Sequence, residues 1–411
     1  MTRINPNRLW HDLGELAQIG DKPPNGITRT ALSDEDLEAK KWLIAKMKKT
    51  GLEVKIDQAY NVIGILKAKN PLTAKKAVIG SHLDTVPNGG KYDGSLGVLA
   101  GLECARIIKE KDIMLPWDLW VVNFTDEEGA HNAGTMGSRA MLKGLSRSDL
   151  LNTKNRNKSS FAQDLARVGK DPNRISEALL KADDFAFYLE LHIEQGKKLE
   201  AEGLDIGVVT GIAGIYRYVV TINGEPGHAG TFPMHLRDDA LVKAASLISL
   251  LPQWAQARNP NMVATIGQLS LNPGAPNVIP GLCSLVVELR SQESSDIKAL
   301  EQMLERHAAL NKGMSIEPVY AKPPCLLHEA LIEATEKAAM KNGLDHSRMM
   351  SGAGHDATSF AAQNVPAGLI FTPCKKGISH SPQEEIDKEQ AGGGCQILLD
   401  ALLNLAREKF I

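Results

Sequence analysis

None of the five cysteines in this 411-residue sequence stands in a Cys-x-x-Cys pair; Cys104, Cys283, Cys325, Cys374 and Cys395 are odd in number and far apart. That excludes a disulfide framework and a thiolate zinc site, and it reads as reduced thiols in a cytoplasmic protein. The opening run Met1-Thr-Arg-Ile-Asn-Pro-Asn-Arg-Leu-Trp10 lacks the apolar stretch of a secretory signal. No later segment is apolar for long enough to cross a bilayer, so neither export nor a membrane partner is expected. Charge of one sign is missing as well. The 47 Lys and Arg nearly cancel the 49 Asp and Glu, and no global field favours nucleic acid. There is no Gly-x-Ser-x-Gly and no cysteine beside a histidine motif, which leaves a serine or cysteine nucleophile unsupported.

What remains is an ordinary globular composition, 43% hydrophobic and 23% charged, which argues against disorder. The length exceeds what one core normally covers, so two domains are expected. Residues 1–70 read as helix, helix, hairpin. Ser33-Asp-Glu-Asp36 caps the second helix, Gly51 stops it, and Val54–Ile56 and Val62–Leu66 are strands. Ala77-Val-Ile79 and Leu119–Phe124 are buried strands, with a helix over Gly97–Lys109 between them. Residues 143–184 are polar and show no strong period; they are expected to be a solvated surface excursion. From Ile215 to Tyr320 the order β-α-β-β-α-β is the ferredoxin-like signature, a compact insert of roughly 110 residues. The expected fold class is therefore α/β: a mixed-sheet catalytic domain from 1–211 and 326–411, with an inserted α+β domain over 212–325.

Three strands end in polar loops. Gly80-Ser-His-Leu-Asp-Thr-Val-Pro-Asn-Gly-Gly-Lys-Tyr-Asp-Gly-Ser95 offers His82, Asp84 and Asp93 after a strand, Thr125-Asp-Glu-Glu-Gly129 offers Glu127 and Glu128 after another, and His192-Ile-Glu-Gln-Gly196 follows a third apolar run. His380 lies in the loop Gly377-Ile-Ser-His-Ser-Pro382. Ligands of open α/β sheets bind at the carboxyl ends of strands. Mixed His and carboxylate donors suit a borderline divalent cation better than Ca²⁺ or Mg²⁺. Each motif alone has a plainer reading: a solvated turn for Glu127-Glu128 and His380, a core histidine for His192. Together, His82, Asp93, Glu128, His192 and His380 match the side chains two metals need about a shared water, with ions ~3.5–4 Å apart, and Glu127 is left over.

Ser81-His-Leu-Asp-Thr-Val86 with Tyr92-Asp-Gly94, followed by Asp126-Glu-Glu-Gly129, resembles the dinuclear metallohydrolases of the M20 peptidase clan. Leu191-His-Ile-Glu-Gln-Gly196, Gly227-His-Ala-Gly-Thr-Phe-Pro-Met234, Pro276-Asn-Val-Ile-Pro280, Ser351-Gly-Ala-Gly-His-Asp356 and Gly377-Ile-Ser-His380 resemble its amidase, hydantoinase and carbamoylase branch. The resemblance runs in order along essentially the whole chain. It implies Asp93 as bridging ligand, His82 and His192 on one metal, Glu128 and His380 on the other, and Zn, Mn or Co as the ion. It implies Glu127 as general base and Asp84 as the carboxylate that orients His82. His228 matches an oxyanion-stabilising residue, and Gln195, Arg217, Asn277, Arg290 and Gly354 match substrate-contacting positions, with Asn277 and Arg290 at the substrate's carboxylate. It further implies a homodimer through 212–325 and closure of the inserted domain on substrate.

The expected reaction is hydrolysis of a linear ureido C–N bond, N-carbamoyl-L-amino acid giving amino acid, CO₂ and ammonia. Allantoate, ureidoglycolate and N-carbamoyl-β-alanine are alternative substrates, and an aminoacylase or dipeptidase of the same clan is a further one. His192 stands where the peptidase branch has an acid, which favours amidohydrolysis. Ala213-Gly-Ile-Tyr-Arg217 lacks the Gln-Arg of some allantoate-directed members, and Glu288-Leu-Arg290 lacks their acid-Cys-Arg. Both departures point away from allantoate.

Overall fold

The computed structural model describes residues 2–69 and 71–410. The chain forms two units: residues up to Thr210 with those from Leu327 onward, and Gly211–Leu326. In the first unit, helices at Pro6–Leu16 and Asp34–Thr50 are capped by Asn5 and Ser33, whose side chains accept from the amides of Arg8 and Asp36. Capping satisfies backbone donors that have no partner within the helix. A hairpin of β1 (Glu53–Ile56) and β2 (Val62–Leu66) follows, then β3 (Lys76–His82), the helix Ser95–Glu110, and β4 (Asp118–Phe124). After the polar excursion come β5 (Phe185–Ile193) and β6 (Ile206–Ile212). β5 is buried at every position, as a strand covered on both faces must be.

The second unit holds β7 (Gly214–Asn223), a two-residue strand β8 (Gly227–His228), helix Ala240–Arg258, β9 (Val263–Asn272), β10 (Val278–Ile279), β11 (Leu282–Ser291), helix Ser294–Leu310 and β12 (Met314–Lys322). Its main sheet runs β12-β7-β11-β9, all antiparallel. β11 alternates buried and half-buried residues along its whole length. Cys283, Leu285, Val287 and Leu289 thus face the two helices, meeting Leu247, Leu251, Leu300 and Leu304 in one core. This is the β-α-β-β-α-β arrangement expected from the sequence.

β13 (Cys325–Leu326), the last two residues of the second unit, pairs with Ile212 and Gly211 at the end of β6; in the first unit β14 (His346–Ser351) pairs with β6, and β15 (Ala367–Thr372) lies between β5 and β6. The sheet order is β1-β2-β4-β3-β5-β15-β6-β13. Its centre, β4-β3-β5-β15, is parallel, so four neighbouring strands end at one edge. Helices Ser95–Glu110 and Lys388–Arg407 cover it. None of the five cysteines is disulfide-bonded. Among the described residues no helix is long and apolar enough to cross a membrane.

One expectation is corrected. Residues 143–184 are not merely a solvated excursion: short helices at Arg147–Asn152 and Phe161–Arg167 and a 3₁₀ turn at Pro172–Ala178 pack round their own core. Leu150, Phe161, Leu165 and Ile175 are buried there against Leu32 and Met136. Helices of six and seven residues span fewer than two turns, too few to show a 3.6-residue period in sequence.

Candidate metal centre

The four parallel strands deliver the polar loops to one place. His82 is the last residue of β3, in register with Phe124, after which the chain turns into Glu127 and Glu128. His192 lies in β5 opposite Phe371 of β15, and the loop after β15 carries His380. Asp93 precedes the helix Ser95–Glu110, whose N-terminus favours negative charge. Gly94 adopts φ 64°, and a Cβ there would lie 2.4 Å from the His82 ring. Only glycine lets the two approach so closely.

Two triads result, each with its ligand atoms within 4.8 Å of one another: His82, Asp93 and His192, and Asp93, Glu128 and His380. Asp93 belongs to both, and its oxygens divide between them. Oδ1 is 3.5 Å from His82 Nε2 and 3.2 Å from His192 Nε2, while Oδ2 is 3.5 Å from His380 Nε2. Glu128 Oε2 is 3.2 Å from His380 Nε2. The imidazoles are aimed through their other nitrogens, His192 Nδ1 on the carbonyl of Ile193 (2.9 Å) and His82 Nδ1 on that of Asp84 (2.9 Å). Glu127 is in neither triad; its Oε2 is 3.7 Å from His82 Nε2.

Charge at the site is unbalanced towards the negative. Burial pushes Asp84 up to about 7, and it pushes Glu127 well above the carboxylate range against the pull of His82. The hydrogen bond that His380 donates to Glu128 raises His380 to about 9. Burial disfavours the charged forms of His82 and Asp93, yet each ends shifted towards its charged form, His82 by its hydrogen bond to Asp93 and Asp93 chiefly by His192. Glu128 Oε1 and Asp84 Oδ1 are buried without a hydrogen-bond partner. Crowded carboxylates, orphaned oxygens and three converging imidazole Nε2 atoms are a donor set that fits divalent cations. A third buried group, Glu190, His192 and His355, shares His192 with the first triad.

The other expected residues divide. Gln195, at φ 57°, donates from Nε2 to Asp93 Oδ2 (2.8 Å), beside the ligands. Gly354 precedes His355, whose ring packs on that of His192 with centroids 4.6 Å apart. Asp84 corrects one expectation. The oxygen that meets His82 is its backbone carbonyl, whereas its carboxylate Oδ1 is 4.0 Å from His82 and Oδ2 accepts from the Glu128 amide at 3.2 Å. In the second unit, β8 pairs with β10 and brings His228 beside Asn277, whose carbonyl accepts from the Ala229 amide. Arg217 and Arg290 lie towards the other end of β7 and β11, and both bind Glu288, at 2.6 and 2.8 Å. The structure therefore does not bring Asn277 and Arg290 to one place within a chain.

Residues that sequence reasoning missed hold this centre in shape. Asp126 takes a left-handed φ of 58°, costly for a non-glycine residue. His131, buried and packed edge-on against Phe161, bonds Asp126 Oδ2 at 2.7 Å and Asp164 Oδ2 at 2.8 Å. The turn carrying Glu127 and Glu128 is thereby tied to the helix Phe161–Arg167. Arg29, fully buried, donates to the carbonyls of Leu83, Leu16 and Ile19 and to Ser95 Oγ, bracing the segments either side of Asp84 and Asp93. Glu384 accepts from the amides of Tyr92 and Asp93 at 2.7 and 3.1 Å. Glu384 lies 292 and 291 residues from these partners, a separation that leaves no local signal.

A family model described as peptidase family M20/M25/M40 matches residues 78–404. An N-carbamoyl-L-amino acid amidohydrolase of Geobacillus stearothermophilus is 38% identical, over 98% of this chain and 99% of its own. An allantoate amidohydrolase of Bacillus subtilis is 34% identical, over 95% of each. The crystal structure of an amidase of the hydantoinase/carbamoylase family from Burkholderia multivorans superposes with a TM-score of 0.90 at 32% identity, covering 98% of both chains. A match of this extent, over the same strand ends that carry the two triads, makes this chain a member of peptidase family M20/M25/M40.

Proposed function

We propose that the protein is a cytoplasmic amidohydrolase that cleaves the ureido C–N bond of an N-carbamoyl-L-amino acid, with two divalent cations, Zn²⁺, Mn²⁺ or Co²⁺, held by His82, Asp93, Glu128, His192 and His380. The observation that carries this is Asp93, which offers one oxygen to each triad while Glu127 stays outside both. Bound ions of this kind acidify water and polarise a carbonyl oxygen. Glu127 takes the proton of the attacking water and returns it to the departing nitrogen; burial, by favouring its protonated form, suits it to the task. Gln195 contacts the substrate beside the ligands. His228 accepts Gly230 N–H at Nδ1, leaving Nε2 to donate to the oxyanion.

Arg290 binds the substrate's carboxylate, and the protein works as a homodimer through residues 212–325. Along β11 the geometry supports this. His228 and Asn277 lie before its first residue, Leu282, and Arg290 is eight residues further on, roughly 27 Å at the usual strand rise. One small substrate cannot span that distance. The three residues serve a single substrate only when two copies supply them. The preference for a carbamoyl amino acid over allantoate is supported by the departures at residues 213–217 and 288–290.

A panel of N-carbamoyl-L-amino acids, allantoate, ureidoglycolate, N-carbamoyl-β-alanine and N-acetyl amino acids, assayed for turnover with metal added, tests the reading. Fastest turnover of an N-carbamoyl-L-amino acid is expected; any other member of the panel in that place would overturn it. His131→Ala should lower kcat about 10–100-fold, the usual effect of losing a residue that orients a ligand loop, with KM nearly constant. It should also weaken cation binding in calorimetry. Equal metal affinity and kcat in the folded variant would remove His131 from the centre.

A further inference from the structure

The first unit has a cavity of about 390 Å³ against the metal-centre turn, lined among others by Thr30, Thr85, Glu128, Asn132, Arg156 and Asn157. Its wall is built. Asn132 Nδ2 donates to the Lys154 carbonyl (2.6 Å), Lys154 bridges to Ser160, and Asn155 and Ser159 both donate to Asp164, the residue that also holds His131. The turn bearing Arg156 is thus fastened to the same anchor as the turn bearing Glu128. Charge in the segment 152–160 has one sign, carried by Lys154, Arg156 and Lys158, and of these Arg156 lines the cavity, together with Glu128. Glu128 faces His380, whereas Arg156 makes no ion pair or hydrogen bond among the described residues. Arg156, an exposed residue, is the one cationic side chain among the described residues that line the cavity.

Building on the proposed function, we infer that this cavity receives the side chain of the carbamoyl amino acid and that Arg156 selects an anionic one, as in N-carbamoyl-L-glutamate. A forked guanidinium suits a carboxylate and can meet it through two parallel N–H donors. The position beside Glu128 puts the side chain next to the reacting bond, and Arg290 is left to hold the other carboxylate.

The metal-loaded full-length protein decides this with N-carbamoyl-L-glutamate and N-carbamoyl-L-glutamine, nearly equal in shape and different in charge. Wild type should prefer the glutamate by about tenfold in kcat/KM, as charge-assisted recognition allows. Arg156→Ala should bring the ratio near one, Arg156→Lys should keep part of the preference, and Arg156→Glu should reverse it. Calorimetry with the products, L-glutamate against L-glutamine, should show the same order without turnover. A wild-type ratio near one overturns the subsite. So does an equal loss on both substrates in Arg156→Ala, because Arg156 would then serve the carboxylate common to both. If no carbamoyl compound is hydrolysed, the proposed function fails, and product binding still decides the subsite: a preference for glutamate lost in Arg156→Ala upholds it, and its absence overturns it.

Discussion

Glu127→Gln should lose about 10²–10⁴-fold in kcat while binding the same number of metal ions as wild type. The substitution keeps the size of the side chain and its place 3.7 Å from His82, and removes only the ability to take a proton. Glu127 is in neither ligand triad, so metal content should hold. Its neighbour makes the contrast sharp. Glu128 touches His380 at 3.2 Å, and Glu128→Gln should weaken metal binding first and activity as a consequence. If kcat of Glu127→Gln were unchanged, another group would have to move the proton. If its metal content fell with its activity, Glu127 would be a ligand and the site would lack a free base.

Asp93→Ala should abolish binding of both ions, and His380→Ala of one. Asp93 supplies an oxygen to each triad, and its removal leaves pairs of donors that are too few for a closed site. Activity should fall by 10³-fold or more, since bound cations contribute roughly several kcal/mol of charge stabilisation in such reactions. Dialysis of wild type against a chelator should reproduce this loss, with recovery on adding Zn²⁺, Mn²⁺ or Co²⁺. Elemental analysis of the three proteins reads the stoichiometry directly. One ion remaining on Asp93→Ala would mean that His82 and His192, or Glu128 and His380, hold a cation unaided.

Much of the fold was legible because its elements are long or alternate cleanly. β11 reads as a strand from Leu285, Val287 and Leu289 alone, and the helices Asp34–Thr50 and Lys388–Arg407 carry caps and periodic apolar residues. The triad residues were visible as His and Asp at the ends of apolar runs, where a parallel sheet gathers its loops. What stayed hidden depends on contacts with no local pattern. The helices of 143–184 are too short for a period. The brace Asp126–His131–Asp164 joins residues up to 38 positions apart, and Arg29 works through backbone carbonyls that any residue offers. Asp84 shows a different gap: spacing put it beside His82, but only coordinates show that its backbone, not its carboxylate, makes the contact.

The proposed chemistry needs one carboxylate, Asp93, between two cations. Crystals of the metal-loaded protein, measured at the absorption edge of the added ion, test it most directly. Two anomalous peaks about 3.5–4 Å apart are expected, one against each oxygen of Asp93, the first near His82 and His192 and the second near Glu128 and His380. A single peak, or a pair of peaks that leaves Asp93 or His192 uncoordinated, would contradict it.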